Sequence, residues 1–298
     1  MKLFDSHAHL DDEKFNQDRE KLIKEIEKSD TTNFISAGYS IDGSIKALEL
    51  AKKYSFIYAT VGISPNDIPS SEEELCNDIR IIENLIKDEL NYQDENINNE
   101  INKKLEENTV LESELVNDDI NEKLNEKKNL VAIGEIGLDY YWEKDGKMKE
   151  LQRKAFIMQI ELANKYNFPI VIHTRDAIMD TLDILKNNEV KRKGVFHCCP
   201  QNRELIKEAL KLGFYISFAG PITFKNSRNA EEMVNLVPND RLLIETDSPY
   251  LAPEPVRGTR NDPRNVRYIA QKIAFDKKIS LEKIAEITFK NTRKIFDI

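Results

Sequence analysis

The chain has 298 residues, 40% of them hydrophobic and 33% charged, and a formal net charge of −9. That length suits one large domain or two ordinary ones, and ten Gly with ten Pro exclude a collagen-like or linker-dominated chain. No apolar run approaches the roughly 18 residues of a membrane helix.

The polar start, MKLFDSHAHLDD, has none of the apolar stretch of a signal peptide. Cys76, Cys198 and Cys199 are too few and too oddly spaced for a disulfide framework or a CxxC zinc site. A reducing cytoplasm is the expected setting. The charge is uneven: residues 87–128 hold 13 acids and 6 lysines, a net of −7, which leaves −2 for the rest. Bulk acidity therefore does not exclude a nucleic-acid partner.

In chain order, the first half reads strand Lys2–His9, helix Lys14–Lys28, strand Asn33–Gly38, helix Ile41–Tyr54, strand Phe56–Ile63 and helix Glu72–Lys87. After an interruption come strand Leu130–Gly137, helix Lys147–Tyr166, strand Phe168–Thr174, helix Ala177–Asn187 and strand Gly194–Cys198. Helix Arg203–Leu212, strand Phe214–Phe218, helix Ala230–Leu236 and strand Leu242–Asp247 complete the series. Lys147–Tyr166 shows the helical period well, with Leu151, Ala155, Met158, Leu162 and Tyr166 on one face. Eight alternations imply parallel strands with helical crossovers, and at this length a (β/α)8 TIM barrel of the α/β class. An open doubly wound sheet is the alternative, but no strand is followed by a GxGxxG-type loop.

The interruption, residues 88–128, is rich in Asn, Asp, Glu and Lys. Its sparse apolar residues (Leu105, Val110, Leu111, Leu115, Val116, Ile120, Leu124) favour a weakly amphipathic helix. The segment reads as a charged helical or partly disordered insertion within one barrel spanning 1–298, tolerated on the surface without a chemical role.

Only four His occur, and all four fall at the ends of predicted strands: His7 and His9 on the first, His173 on the fifth, His197 on the sixth. Glu135 ends the fourth strand (VAIGEIG) and Asp247 the eighth (LLIETD). That is the face on which barrels build active sites. His7 and His9 flank one residue, so on an extended strand both side chains point the same way. Any single His is as readily a satisfied core residue; six such groups in barrel order are not. Imidazole with carboxylate suits Zn, Mn, Fe or Co, whereas Mg prefers more oxygen.

FDSHAHLD, AIGEIGLDYY, VIHTRDA, GVFHC and LIETDSPYLAP, in that order, resemble the TatD family of metal-dependent deoxyribonucleases in the amidohydrolase superfamily. The likeness runs from Met1 to the C-terminus and omits only the insertion. It implies a TIM barrel with two divalent metal cations (Zn, Mg or Mn), one held by His7, His9, Glu135 and Asp247, the other by Glu135, His173 and His197. Such cations would activate water and neutralise the oxygens of a phosphodiester, with Asp247 taking the nucleophile's proton and Glu135 and Asp247 as the catalytic pair. Arg175 and Arg257 match basic positions of the family pattern and suit bidentate phosphate binding; an ion pair with Asp176 competes for Arg175. Arg260 and Asn261 are weaker candidates, and Thr259 stands where the family commonly has Lys. The activity implied is trimming of single-stranded or frayed DNA ends in the 3′ to 5′ direction, with no membrane partner, by a monomer.

Tyr140, Tyr141 and Trp142 offer π-faces for bases, although packing at the barrel rim explains them as well. Of Cys198 and Cys199, at most one can face inward. Two rim positions depart from the family: Ser64 stands in GISPND where His is usual, and Pro200–Gln201 follow HCC where a small flexible pair is usual. Ser64 therefore enters as a substrate-binding hydroxyl in place of an imidazole. A metal-dependent amide or ester hydrolase, such as an aminoacyl-tRNA deacylase, would use the same centre, and a non-catalytic docking protein would need none of the six ligands.

Overall fold

Hydrogen-bonded register joins the eight strands in sequence order, every neighbouring pair parallel. The computed structural model describes residues 1–107 and 128–298. The strands are β1 (Leu3–Ala8), β2 (Thr31–Ala37), β3 (Ile57–Val61), β4 (Leu130–Asp139), β5 (Ile170–Arg175), β6 (Gly194–Phe196), β7 (Tyr215–Phe218) and β8 (Leu242–Ile244). A bridge between Ala8 and Ser248 draws the two edge strands together, giving the expected TIM barrel. β6 and β8 stop short of His197 and Asp247, which sit in the loops just beyond.

The helices between strands are α1 (Arg19–Ile26), α2 (Ile41–Lys53), α3 (Glu72–Glu107), α4 (Gly146–Tyr166), α5 (Ile178–Asn187), α6 (Arg203–Lys211) and α7 (Ala230–Leu236). Two further helices, α8 (Val266–Lys277) and α9 (Leu281–Phe296), follow the last strand and have no counterpart among the sequence expectations. α3 does not end near Lys87: it runs on to Glu107, so the start of the insertion is a continuation of this helix. The remainder of the expected amphipathic segment, from Val110 to Leu124, lies outside the described residues.

Alternation divides the apolar residues into two layers. The larger packs strand residues such as Ile133, Ile136, Ile172, Ile216 and Ile244 against the helices. The smaller is enclosed toward the N-terminal ends of the strands: Phe4, Ile35, Val131, Val171, Val195, Tyr215 and Leu243, with Phe296 of α9. Phe289 of α9 meets Phe4 edge-on at 5.7 Å, so α9 stoppers this end of the barrel. The opposite end is left for polar groups.

α4 positions two of the loops at that end. Its N-cap Asp145 accepts from Lys147 N–H and its last turn closes on left-handed Asn167. Two buried glutamines seven residues apart, two turns along one face, reach off it. Gln159 accepts from Ile63 N–H at 2.8 Å and donates to Ile63 C=O at 3.0 Å. Gln152 accepts from Asp139 N–H at 3.0 Å and donates to Asp139 and Pro65 carbonyls, both at 3.1 Å. The ends of β3 and β4 are thus fixed by side chains rather than by chain length alone.

Candidate metal centre

At the C-terminal ends of the strands the four imidazoles and two carboxylates converge. Glu135 is at their centre, and its two oxygens serve different neighbours. Oε2 lies 3.2 Å from His7 Nε2 and 3.5 Å from His9 Nε2. Oε1 lies 3.0 Å from His173 Nδ1 and 3.3 Å from His197 Nε2. Asp247 Oδ1 completes the first group, 3.3 Å from His9 Nε2 and 3.7 Å from His7 Nε2.

Two backbone positions near the centre help make this possible. Gly137 has φ 139°, and a Cβ there would lie 2.0 Å from the carbonyl oxygen of His173. Only glycine lets β4 approach β5 so closely, which is why the AIGEIG stretch carries glycine beside Glu135. Asp247 is itself left-handed at φ 56°, a conformation that costs a non-glycine residue energy and clusters at functional sites. Its N–H donates to His7 C=O at 2.9 Å, tying the eighth-strand loop to β1.

Imidazole orientation is set from behind. His9 Nδ1–H donates to Ala37 C=O at 2.9 Å, which leaves Nε2 for the centre. His173 Nε2–H faces Asp139 Oδ2 at 3.1 Å, leaving Nδ1 for Glu135. His197 Nδ1 is 3.4 Å from Glu245 Oε1, a wholly buried carboxylate that also accepts from Cys198 N–H at 2.5 Å. Asp5, likewise buried, accepts from His7 and Thr246 N–H and from the Thr246 hydroxyl. Carboxylates placed like Asp139 and Glu245 fix the tautomer and aim of metal-binding His, whereas Asp5 holds the backbone of His7 and Thr246 and leaves His7 Nδ1 without a hydrogen-bond partner. Asp139, Glu245 and Asp5 were absent from the sequence reading. The signal was there in period-two spacing: Asp5 precedes His7, and Glu245 precedes Asp247, by two residues.

Charge follows from this crowding. Burial pushes His9 down, but its bond to Asp247 and the charges of Glu135 and Asp247 outweigh it, and His9 is raised to about 9. His197 is raised well above its ordinary range, Glu135 and Glu245 overcoming burial. Burial, with the neighbouring His197, holds His7 below its ordinary value. Burial would raise Glu135, but His197 and the imidazole hydrogen bonds hold it well below the usual carboxylate range.

The donor set fits metal. His7 Nε2 and His9 Nε2 face each other at 3.1 Å, and His173 Nδ1 and His197 Nε2 at 3.2 Å. Two ligands about 2.1 Å from one ion, at tetrahedral to octahedral angles, stand about 3.0–3.4 Å apart. Paired imidazole nitrogens at that separation, each pair sharing one oxygen of the same carboxylate, form an arrangement a cation holds together better than a proton does.

The centre floors a cavity of about 740 Å³ lined also by Ser64, Asp139, Trp142, Arg175, Cys198 and Pro200. Ser64 Oγ–H donates to Asp67 Oδ2 at 2.7 Å. Arg175 makes no ion pair with Asp176 among the described residues; its guanidinium lies 3.7 Å from the centroid of the Tyr141 ring and 5.5 Å from that of Trp142. Tyr140 turns away and donates to Asp180 at 2.7 Å, whereas Trp142 is 69% exposed. Cys198 and Cys199 both reach the cavity wall as thiols that burial pushes upward. Three of the basic-loop candidates lie elsewhere: Arg257 is exposed over the Phe224 ring, Arg260 pairs with Asp18, and buried Asn261 donates to the Thr246 and Tyr250 carbonyls.

A sequence model of the TatD related DNase family matches residues 4–297. The chain belongs to the TatD family. Its TatD relatives include the uncharacterised metal-dependent hydrolase YabD of Bacillus subtilis, 37% identical over 99% of both chains. YcfH of Escherichia coli, also an uncharacterised metal-dependent hydrolase, is 44% identical over 58% of this chain and 64% of its own. Among solved structures, the TatD homologue YjjV of E. coli superposes with a TM-score of 0.77 at 21% identity, covering 99% of this chain and 98% of that one. This TatD chain is thus a metal-dependent hydrolase. Among its described residues no helix is long and apolar enough to cross a membrane.

Proposed function

We propose that this protein is a divalent-metal-dependent phosphodiesterase that trims single-stranded or frayed DNA ends, working 3′ to 5′ as a cytoplasmic monomer. The observation that carries the reading is the division of Glu135, one oxygen to the His7–His9 pair and the other to the His173–His197 pair. His7, His9, Glu135 and Asp247 would hold one cation, and Glu135, His173 and His197 a second. When bound, the cations supply Lewis acidity that activates water and offsets charge on the phosphodiester.

The chain's own groups do the rest. Asp247, ionised and held by His9, takes the proton of the attacking water and is aimed by its strained backbone. Arg175 binds phosphate with its in-plane N–H groups, which stacking on Tyr141 leaves free. Ser64 lines the cavity with its hydroxyl held to Asp67, and Arg257, on its exposed loop, meets only the more distant part of a strand.

The test is direct. Metal-stripped protein is incubated with end-labelled single-stranded DNA, with and without Mg, Mn or Zn, beside Glu135→Ala. Metal-dependent shortening that the variant lacks supports the reading. Stoichiometric metal uptake without cleavage in any metal would turn the search to esters and amides.

A further inference from the structure

Beside the metal cavity lies a second one of about 450 Å³, and the two share Arg175 and Pro200. It is open to solvent and belongs to the loop after β5 and the start of α5. Its wall carries Ile178, Pro200 and Met179, the last 69% exposed, beside Tyr140 and Asp180, which bond each other. Asp176, left-handed at φ 53°, is exposed at its edge.

Arg175 stands on the seam. It is two residues beyond His173 on the same strand, so the two side chains leave one face, about 7 Å apart by the strand rise. His173 faces the metal centre, and Arg175 is one step further out. Its guanidinium is held from one side by the Tyr141 ring and no carboxylate neutralises it among the described ion pairs. A phosphate there would be the neighbour of one at the metal centre, and the group attached beyond it would enter the side cavity. An exposed thioether with a flat proline and an isoleucine makes a surface suited to a π-face rather than to a sugar or a charged group. The Asp176 carboxylate at the edge can accept from an exocyclic amino group.

We propose that this side cavity is a nucleobase subsite: Arg175 holds the phosphate next to the scissile one, and Ile178, Met179 and Pro200 take the base beyond it. The inference rests on the phosphodiesterase reading above and sharpens its substrate class. The preferred substrate is an oligonucleotide that carries a second phosphate and base, not an isolated small diester.

The test compares kcat/KM for a trideoxynucleotide with kcat/KM for bis(p-nitrophenyl) phosphate, which has no second phosphate. Met179→Glu lowers the ratio of the two about five- to hundredfold, the scale of losing one base-stacking contact. Met179→Trp restores or raises it. Phe275→Glu, at an equally exposed apolar residue on α8 (79% exposed), leaves it unchanged. A ratio that Met179→Glu does not move, with wild type active on both substrates, overturns the subsite and spares the phosphodiesterase reading. Metal-loaded wild type that hydrolyses neither substrate overturns both.

Discussion

The two ends of this barrel solve opposite problems with the same eight strands. Toward the N-terminal ends, Phe4, Ile35, Val131, Val171, Val195, Tyr215 and Leu243 close against α9 with no ionisable group among them except the Tyr215 phenol. Toward the C-terminal ends, four imidazoles and the carboxylates of Asp5, Glu135, Asp139, Glu245 and Asp247 are crowded together, and His7 Nδ1 and Glu245 Oε2 are buried without a hydrogen-bond partner. Apolar burial stabilises one end; the other costs stability, because buried polar atoms left unsatisfied carry a penalty of about 1–3 kcal/mol each. The stoppered end makes the strained one tolerable, and substitutions at the two ends separate stability from function.

The largest effect belongs to Glu135, which touches all four imidazoles. Glu135→Ala lowers metal-dependent hydrolysis at least about 10²–10³-fold, the scale of removing one preorganised electrostatic group, and metal stoichiometry measured after dialysis falls with it. Variant protein with full metal content and full activity would remove Glu135 from the centre. The counterpart at the other end is Phe296→Ala. A buried aromatic deleted from a packed cluster costs about 3–5 kcal/mol, read as a lower midpoint in urea. Its kcat and metal content, measured where the variant is still folded, stay at the wild-type level. A loss of metal without a loss of stability there would mean that the two ends are not separable.

The backing carboxylates come next. Asp139→Asn keeps the size of the side chain but removes the charge behind His173, and metal affinity falls about 10–100-fold, measured by competition with a chromogenic chelator. An unchanged affinity would leave Asp139 a role only in the β4 turn, where it also accepts from Tyr141 N–H at 2.9 Å.

Protons compete for the same nitrogens, and the sign of the pH effect follows. His9 is raised from 6.5 to about 9 in the metal-free fold, and His173 and His197 are also raised. Each contributes stability to the metal-free protein that is fully present below pH 6.5 and is lost as the pH rises through the folded value, for His9 about 9. His7 is lowered and acts in the opposite sense, but it is one against three. Metal-free protein therefore melts at a lower temperature at pH 9 than at pH 6.5, and metal loading, which releases those protons, tightens over the same interval. Thermal scans of stripped and loaded protein at the two pH values check both signs.

How much of this was legible beforehand depends on residue type. Four His in 298 residues, all at strand ends, stand out because each is chemically rare and its position repeats. Glu135 and Asp247 stand out through the strand-end motifs around them. Asp5, Asp139 and Glu245 are ordinary acids in a chain with 53 of them, and only burial distinguishes a carboxylate that supports the centre from one that faces water. Strand lengths were overestimated at β6 and β8: the ladders end with the apolar runs at Phe196 and Ile244, and the polar residues that follow, His197 and Glu245 to Asp247, belong to the loops. α8 and α9 were overlooked because the alternation of strand and helix had already closed at eight. Arg175 and Arg257 looked equivalent as basic residues near motifs; β5 carries the first into the cavity, whereas a loop leaves the second over Phe224.

The smallest effect tests the departure at the rim. Ser64 is buried, its N–H donates to Tyr39 C=O at 2.7 Å, and its hydroxyl is committed to Asp67. An imidazole placed there would find the same acceptor: burial raises Asp67, and a His proton beside it would be shared rather than lost to water. The result is a group that carries positive charge near neutral pH on the wall of the cavity, where the family pattern places His. Ser64→His should therefore raise kcat/KM for a phosphodiester by up to about tenfold, the scale of one partly solvated charge contact of about 1 kcal/mol, mostly through KM. The gain should fade above pH 7 as the imidazole loses its proton. No gain at any pH would mean that the rim at Ser64 does not limit phosphate binding, and that the natural substrate is chosen elsewhere on the cavity wall.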